Sequence, residues 1–178
     1  MARHVVLLRG INLPRHKRIS MPDLRAALED AGLADVKTYV QSGNVVLSSR
    51  AAPKTVAGKV ERAIEDRFGL DVDVVVRSRD ELADVVARDP FGKKASDPKR
   101  FQVTFLAGKL GQDTLAKLEA AAAGGEQLVA SGRELFTWHP NGVGRSKLAA
   151  LLAGPRLGVT ATARNWTTVT TLLELADE

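Results

Sequence analysis

The chain opens on an unbroken apolar run, Val5-Val6-Leu7-Leu8, set between Arg3 and Arg9-Gly10. A run of β-branched residues and leucine without helical spacing predicts a buried strand from Arg3 to Gly10. The period then changes. Ser20 and Pro22 offer a helix start, and Leu24, Ala27, Leu28 and Ala31 recur at helical spacing until Gly32 stops them. Val36 to Gln41 and Val45 to Ser49 flank Ser42-Gly43-Asn44, the pattern of a β-hairpin. Pro53 opens a second helix with Val56, Val60 and Ile64 on its apolar face; Gly69 ends it before a strand from Leu70 to Arg77.

The same order recurs in the second half. A short helix near Arg79 to Ala87 and a Pro-, Gly- and Lys-containing loop from Asp89 to Lys99 form a connector. Phe101, Val103 and Phe105 alternate as a strand, and Leu115, Leu118 and Ala122 mark a helix closed by Gly124-Gly125. Gln127 to Ala130 and Glu134 to Trp138 bracket a Ser131-Gly132 turn, in the place that Ser42-Gly43 holds in the first half. Ser146 to Ala153 is a helix closed by Gly154-Pro155, Thr160 to Ala163 alternates as a last strand, and Asn165 caps a final helix through Trp166, Val169, Leu172 and Leu173.

The pattern predicts an α+β protein of two tandem ferredoxin-like (β-α-β-β-α-β) subdomains with an extra C-terminal helix. Residues 1–77 are the first subdomain, 78–99 the connecting helix and loop, and 100–178 the second subdomain with the terminal helix. A sheet of this kind carries helices on one face, so each half leaves a face to be covered by the other half, a second copy or a ligand.

Composition narrows the function classes. The chain has 178 residues, 44% of them hydrophobic and 26% charged, which is the balance of a folded globular protein. It has no cysteine, so thiolate catalysis and thiolate zinc sites are excluded. The first apolar run is too short for the hydrophobic part of a signal peptide, and no later run approaches a membrane span, so a cytoplasmic protein with no membrane partner is expected. The net charge is +5 and unevenly placed. Met1 to Pro22 carries Arg3, Arg9, Arg15, Lys17 and Arg18 with no acid; Gln127 to Leu173 carries Arg133, Arg145, Lys147, Arg156 and Arg164 against Glu134 alone. A concentrated positive field favours anionic partners.

Four ordered strings stand out: Leu8-Arg9-Gly10-Ile11-Asn12, Thr38-Tyr39-Val40-Gln41-Ser42-Gly43-Asn44-Val45-Val46, Asn141-Gly142-Val143-Gly144-Arg145-Ser146-Lys147-Leu148 and Thr162-Ala163-Arg164-Asn165-Trp166. Together they resemble the bacterial family called domain of unknown function 1697. The resemblance implies the tandem fold already read and implies no activity. It departs in one place: the family's loop after Arg-Gly-Ile-Asn is often glycine-rich with a single basic cluster, whereas this chain has Leu13-Pro14-Arg15-His16-Lys17-Arg18.

Chemistry concentrates at the element junctions. In Gly142, Gly144, Arg145, Ser146 and Lys147, glycines let backbone amides approach a ligand, a helix start offers unpaired donors, and two cations and a hydroxyl add charge and a hydrogen bond. This is how an anion is held; the bland alternative is a glycine-rich connection capped by Ser146. The spacing matches neither a Walker A loop nor a dinucleotide GxGxxG. Arg164 and Asn165 sit at the next strand-to-helix junction, where Asn165 is a helix cap and an arginine can fork onto a phosphate or onto a carboxylate of the protein. Arg9 and Asn12 stand where the first strand leaves its sheet. Gln41, Ser42 and Asn44 lie at a hairpin tip, where turn chemistry accounts for them and ligand binding is secondary.

Other chemistries lack support. His4, His16 and His139 are isolated from metal-ligand spacing, so no metal and no cofactor is expected. Asp71 and Asp73 share one face of the strand that contains them, a pair able to bind a divalent ion but more often the pattern of a charged edge. No GxSxG elbow is present. The first expectation is therefore a binder of nucleic acid or another phosphate-bearing ligand. The alternative is an enzyme acting on a small phosphorylated or carboxylated metabolite clamped between the subdomains, and a third is self-association through a sheet face or the final helix. The first is weakened by few aromatics in the strands: Tyr39, Phe101, Phe105, Phe136 and Trp138.

Overall fold

The computed structural model describes residues 1–13 and 18–178. In the first half β1 (Ala2–Leu8), α1 (Met21–Asp30), β2 (Ala34–Tyr39), β3 (Asn44–Ser49), α2 (Pro53–Phe68) and β4 (Val74–Ser78) follow in order. The connector holds α3 (Arg79–Ala87) and a 3₁₀ turn at Gly92–Lys94. β5 (Phe101–Leu106), α4 (Gln112–Ala121), β6 (Gln127–Ser131), β7 (Glu134–Trp138), α5 (Lys147–Ala153), β8 (Ala161–Asn165) and α6 (Trp166–Asp177) complete the chain. The protein is α+β, with two four-stranded antiparallel sheets and six α-helices among the described residues. Sheet order is β2-β3-β1-β4 in the first and β6-β7-β5-β8 in the second, so the two halves share one strand order.

Local chemistry sets the helix ends. Ser20 is extended and its hydroxyl accepts the Asp23 amide at 3.2 Å, with Pro22 in the first turn of α1. α2 begins at Pro53 and ends on Gly69 in the left-handed region. Val6, Leu8, Val45, Leu47, Val74 and Val76 then face Leu24, Leu28, Val56, Val60 and Ile64 in one core. Each such side chain contributes about 1.5–3 kcal/mol by leaving water. In the second half Leu106, Leu135 and Ala161 of the sheet pack with Leu118, Leu148, Leu152 and Leu157.

The opposite faces are also closed. Val5, Leu7, Val46, Val75 and the guanidinium-bearing Arg77 alternate away from the helices of the first half and are buried. In the second, Phe101, Val103, Phe105 and Phe136 point away from α4 and α5 and are buried. There Trp166 stacks on Phe101 with ring centroids 4.3 Å apart, and Phe91 meets Phe101 edge-on at 5.1 Å.

By contacts, Met1–Asp84 with Thr171–Glu178 form one unit and Val85–Thr170 the other. The sequence reading kept the terminal helix wholly with the second half; its last turns are instead counted with the first, where Leu175 O accepts from Arg3 Nη2 at 3.3 Å, Glu178 pairs with Lys37 at 2.7 Å and Asp177 with Arg79 at 2.5 Å. β4 is shorter than the strand expected from Leu70. Its partner β1 ends at Leu8 opposite Val74, so Asp71 and Asp73 precede the strand and do not share a strand face. No described helix is long and apolar enough to cross a membrane.

Candidate functional site

In the second unit the chain leaves β7 at Trp138, and the His139 amide extends the ladder by donating to Arg100 O at 2.9 Å. Gly142, at φ +91°, then turns the chain, its amide donating to His139 O at 3.0 Å. Ser146 ends the turn in an extended conformation and its Oγ accepts the Ala149 amide at 3.0 Å, which starts α5. Facing this loop are the end of α4 and Gly124. Between them lies a cleft of about 260 Å³ that Gly142, Arg145, Ser146 and Lys147 line together with Glu126. The Asn141 amide ties the two walls by donating to Gly124 O at 3.0 Å.

Glu126 is the electrostatic centre of the cleft. Its Oε2 accepts from Ser146 Oγ at 2.5 Å and meets His139 Nδ1 at 2.5 Å, and its Oε1 accepts the Ala123 amide at 3.2 Å. Burial alone would raise its pKa. The hydrogen bonds from Ser146, His139 and Ala123, with the His139 charge, outweigh burial and hold it below the ordinary carboxylate value. His139 is fully buried, with Nε2 2.8 Å from Thr137 Oγ1. The carboxylate stands between the serine and the imidazole, so the group that accepts from the serine hydroxyl is Glu126 and the imidazole does not reach it. A carboxylate whose pKa is held low is a weak base. The arrangement holds the loop in place and presents Arg145 and Lys147, both exposed, at the cleft.

Arg164 does not line this cleft. It pairs with Val103 on β5, so its side chain lies on the aromatic face of the sheet, away from α4 and α5. There its Nη1 donates to Thr162 Oγ1 at 2.5 Å and Ala163 O at 2.9 Å, and burial lowers its pKa to about 10, still charged at neutral pH. Asn165 takes the cap position expected of it, Oδ1 accepting the Thr168 amide at 2.9 Å.

The first-unit candidates form a separate cluster at the end of their sheet where β1 finishes. Asn12 is a clasp: its Nδ2 donates to Ile19 O at 2.9 Å and Gln41 O at 2.7 Å, and its Oδ1 accepts the Ile19 amide at 2.8 Å. Asn44 is buried, its amide donating to Tyr39 O at 3.2 Å and Ser42 Oγ at 3.0 Å. These bonds hold a strained tip, in which Asn12 and the β-branched Val40 both have φ near +50°. Arg9 follows β1 and its amide donates to Asp73 O at 2.9 Å. Pro14, Arg15, His16 and Lys17 of the basic loop lie outside the described residues.

Sequence reasoning missed Glu126 and the role of His139, which it had set aside as an isolated histidine. It also placed no weight on Glu61. Burial foremost raises the Glu61 pKa, opposed by the Val74 amide, and the charges of Asp73 and Asp71 raise it further. Among the described residues no three His, Asp or Glu side chains are grouped to hold a metal.

Comparison with known proteins agrees with this architecture. The solved structure of the conserved bacterial protein SP0830 from Streptococcus pneumoniae is similar over 98% of both chains, with a TM-score of 0.80 at 21% identity. At that identity the likeness establishes the fold. No curated protein matched the chain. A family model matches residues 1–136, a span that ends inside β7, before the cleft loop. The chain thus belongs to the family of proteins of unknown function DUF1697.

Proposed function

We infer that the protein, read as two tandem ferredoxin-like subdomains, binds a phosphate-bearing ligand through the cleft of its second unit. The shared strand order of the two sheets supports the fold reading. The observation that carries the functional reading is the convergence of Gly142, Arg145, Ser146 and Lys147 on one cleft, with both cations exposed. Glu126 shares that cleft, but its oxygens are occupied by Ser146, His139 and the Ala123 amide, leaving Arg145 and Lys147 as the cleft's exposed charges. The phenylalanines of the second sheet, Phe101, Phe105 and Phe136, are buried, and only Trp138 and Trp166 are half-buried, which leaves little sheet surface for base stacking and favours contact through phosphate. The arrangement favours holding a ligand over turning it over, since the base that accepts from the Ser146 hydroxyl is a carboxylate whose lowered pKa makes it weak.

The test is calorimetric titration with inorganic pyrophosphate, a mononucleotide and a sugar phosphate. Charge-assisted hydrogen bonds of about 1.5–3 kcal/mol predict that Arg145→Ala/Lys147→Ala weakens binding by roughly tenfold or more. Arg156→Ala removes an exposed charge outside the cleft and should leave binding unchanged. Equal affinity in the double variant and the wild type would remove the reading.

A further inference from the structure

The connector that the sequence presented as a spacer is bonded to the loop that carries the cleft residues. Phe91 packs on Phe101 at the start of β5, which brings the following Gly92–Lys94 turn to that end of the sheet. The chain stays there: Trp166 N donates to Pro98 O at 3.2 Å, His139 N to Arg100 O at 2.9 Å, and Arg100 Nη1 to Pro140 O at 2.5 Å. The last two bonds join the connector to the loop that carries Arg145 and Lys147. One end of this unit therefore presents Lys93, Lys94, Lys99, Arg100, Arg145 and Lys147, all exposed, on two hydrogen-bonded segments. The acids nearest in the chain are engaged locally. Asp89 Oδ1 accepts the Phe91 and Gly92 amides, and Asp97 accepts the Lys99 amide and pairs with Arg100 at 3.5 Å. Glu119, in the last turn of α4, is an exposed acid on the helix side.

We propose that this basic end of the second unit is a docking surface for the sugar-phosphate backbone of nucleic acid, with one phosphate in the cleft and its neighbours carried along the strand by the connector lysines. The inference rests on the cleft's being a phosphate site and adds the polymer. A cleft of this volume takes one small anionic group, whereas cations continuing along a second segment suit a ligand with regularly repeated charge. With the sheet's phenylalanines buried and only Trp138 and Trp166 half-buried, stacking contributes little, so binding is expected to be indifferent to base sequence and governed by counterion release.

The experiment is fluorescence polarisation with a short labelled DNA duplex and a single-stranded RNA of equal length, between about 50 and 200 mM salt. Polyglutamate serves as competitor, and pyrophosphate titration runs in parallel. Four phosphates, one in the cleft and three on Lys93, Lys94 and Lys99, give a slope of log affinity on log salt of about −3.5 for duplex DNA. Lys93→Ala/Lys94→Ala should make that slope shallower by about 2 and weaken binding uniformly across sequences. It should leave pyrophosphate affinity unchanged, and Lys93→Arg/Lys94→Arg should restore the wild-type slope. Pyrophosphate binding with no nucleic-acid binding, or with nucleic-acid binding indifferent to Lys93 and Lys94, overturns this proposal and spares the cleft. Failure to bind either ligand overturns both. Polyglutamate competing as well as DNA at equal charge also overturns it, because the surface would then be a generic polyanion site.

Discussion

Gly43 is where the first unit can be tested most sharply. It sits in the hairpin tip at φ +82°, and a Cβ there would lie 2.8 Å from Leu8 Cβ and 3.0 Å from Ile11 Cδ1. The Ile11 methyl can rotate aside. Leu8 Cβ is fixed to a backbone that donates to Gly43 O at 2.9 Å, so the clash is relieved only by stretching that bond. Gly32 is the internal control, with φ +89° and no atom within 4 Å of its added Cβ. Alanine at either site meets the left-handed penalty of about 1–2 kcal/mol and gains the same unfolded-state benefit. Only Gly43→Ala adds overpacking, about 1–3 kcal/mol. At a slope near 2 kcal/mol per molar urea, the two variants should differ in unfolding midpoint by roughly 0.5–1.5 M. The assay is urea unfolding followed by far-ultraviolet circular dichroism, with equal slopes required for the comparison. Coincident midpoints for Gly32→Ala and Gly43→Ala would refute the steric argument.

Two further outcomes follow from buried charge. The folded state holds the Glu126 pKa below its unfolded value, so its stabilisation is complete above the unfolded pKa and is lost as pH falls through the folded one. Glu126→Gln should therefore flatten the acid side of the stability curve below about pH 5, checked by urea midpoints across pH; a curve of unchanged shape would contradict the assignment. Arg88 donates to Ser131 O at 2.9 Å and pairs with the buried Glu134 at 2.5 Å, fastening the β6–β7 hairpin. Arg88→Ala leaves that carboxylate buried without its guanidinium and should cost about 3–5 kcal/mol, with little relief from added salt, read by thermal unfolding in low and high salt.

Apolar period was enough for every strand and helix order because both sheets bury one face against helices, and burial writes itself into spacing. It failed at ends set by partners. β4 starts at Val74 because the paired register with β1 ends there at Leu8, with a single further bond from the Arg9 amide to Asp73 O, although Leu70 and Val72 continue the apolar alternation. The divided allegiance of α6 was illegible for a similar reason: Leu172 and Ala176 are buried, but spacing records that a face is buried and never against what.

The site was more legible than the reading made of it. Ser131 pairs with Glu134 across the hairpin turn that the sequence predicted, and counting back residue for residue through Gln127 and Trp138 sets Glu126 opposite His139. A carboxylate opposite an imidazole, one residue past the ladder, is a pairing that the period-two rule contains. Treating His139 as isolated along the chain discarded it. Ser146 is different: only the return of the chain after Gly142 brings its hydroxyl to Glu126, and no periodicity encodes a loop's path. The same distinction separates the two sets of candidates. Asn12 was chosen as an amide able to hold a ligand and instead holds backbone at a chain reversal, whereas Asn44 and Asn165 do the turn and cap work that the sequence assigned them first. Arg145 and Lys147 remain exposed at the cleft because their loop is fastened by Ser146, Glu126 and Asn141, and charge left in water beside a fixed frame is what a phosphate site requires.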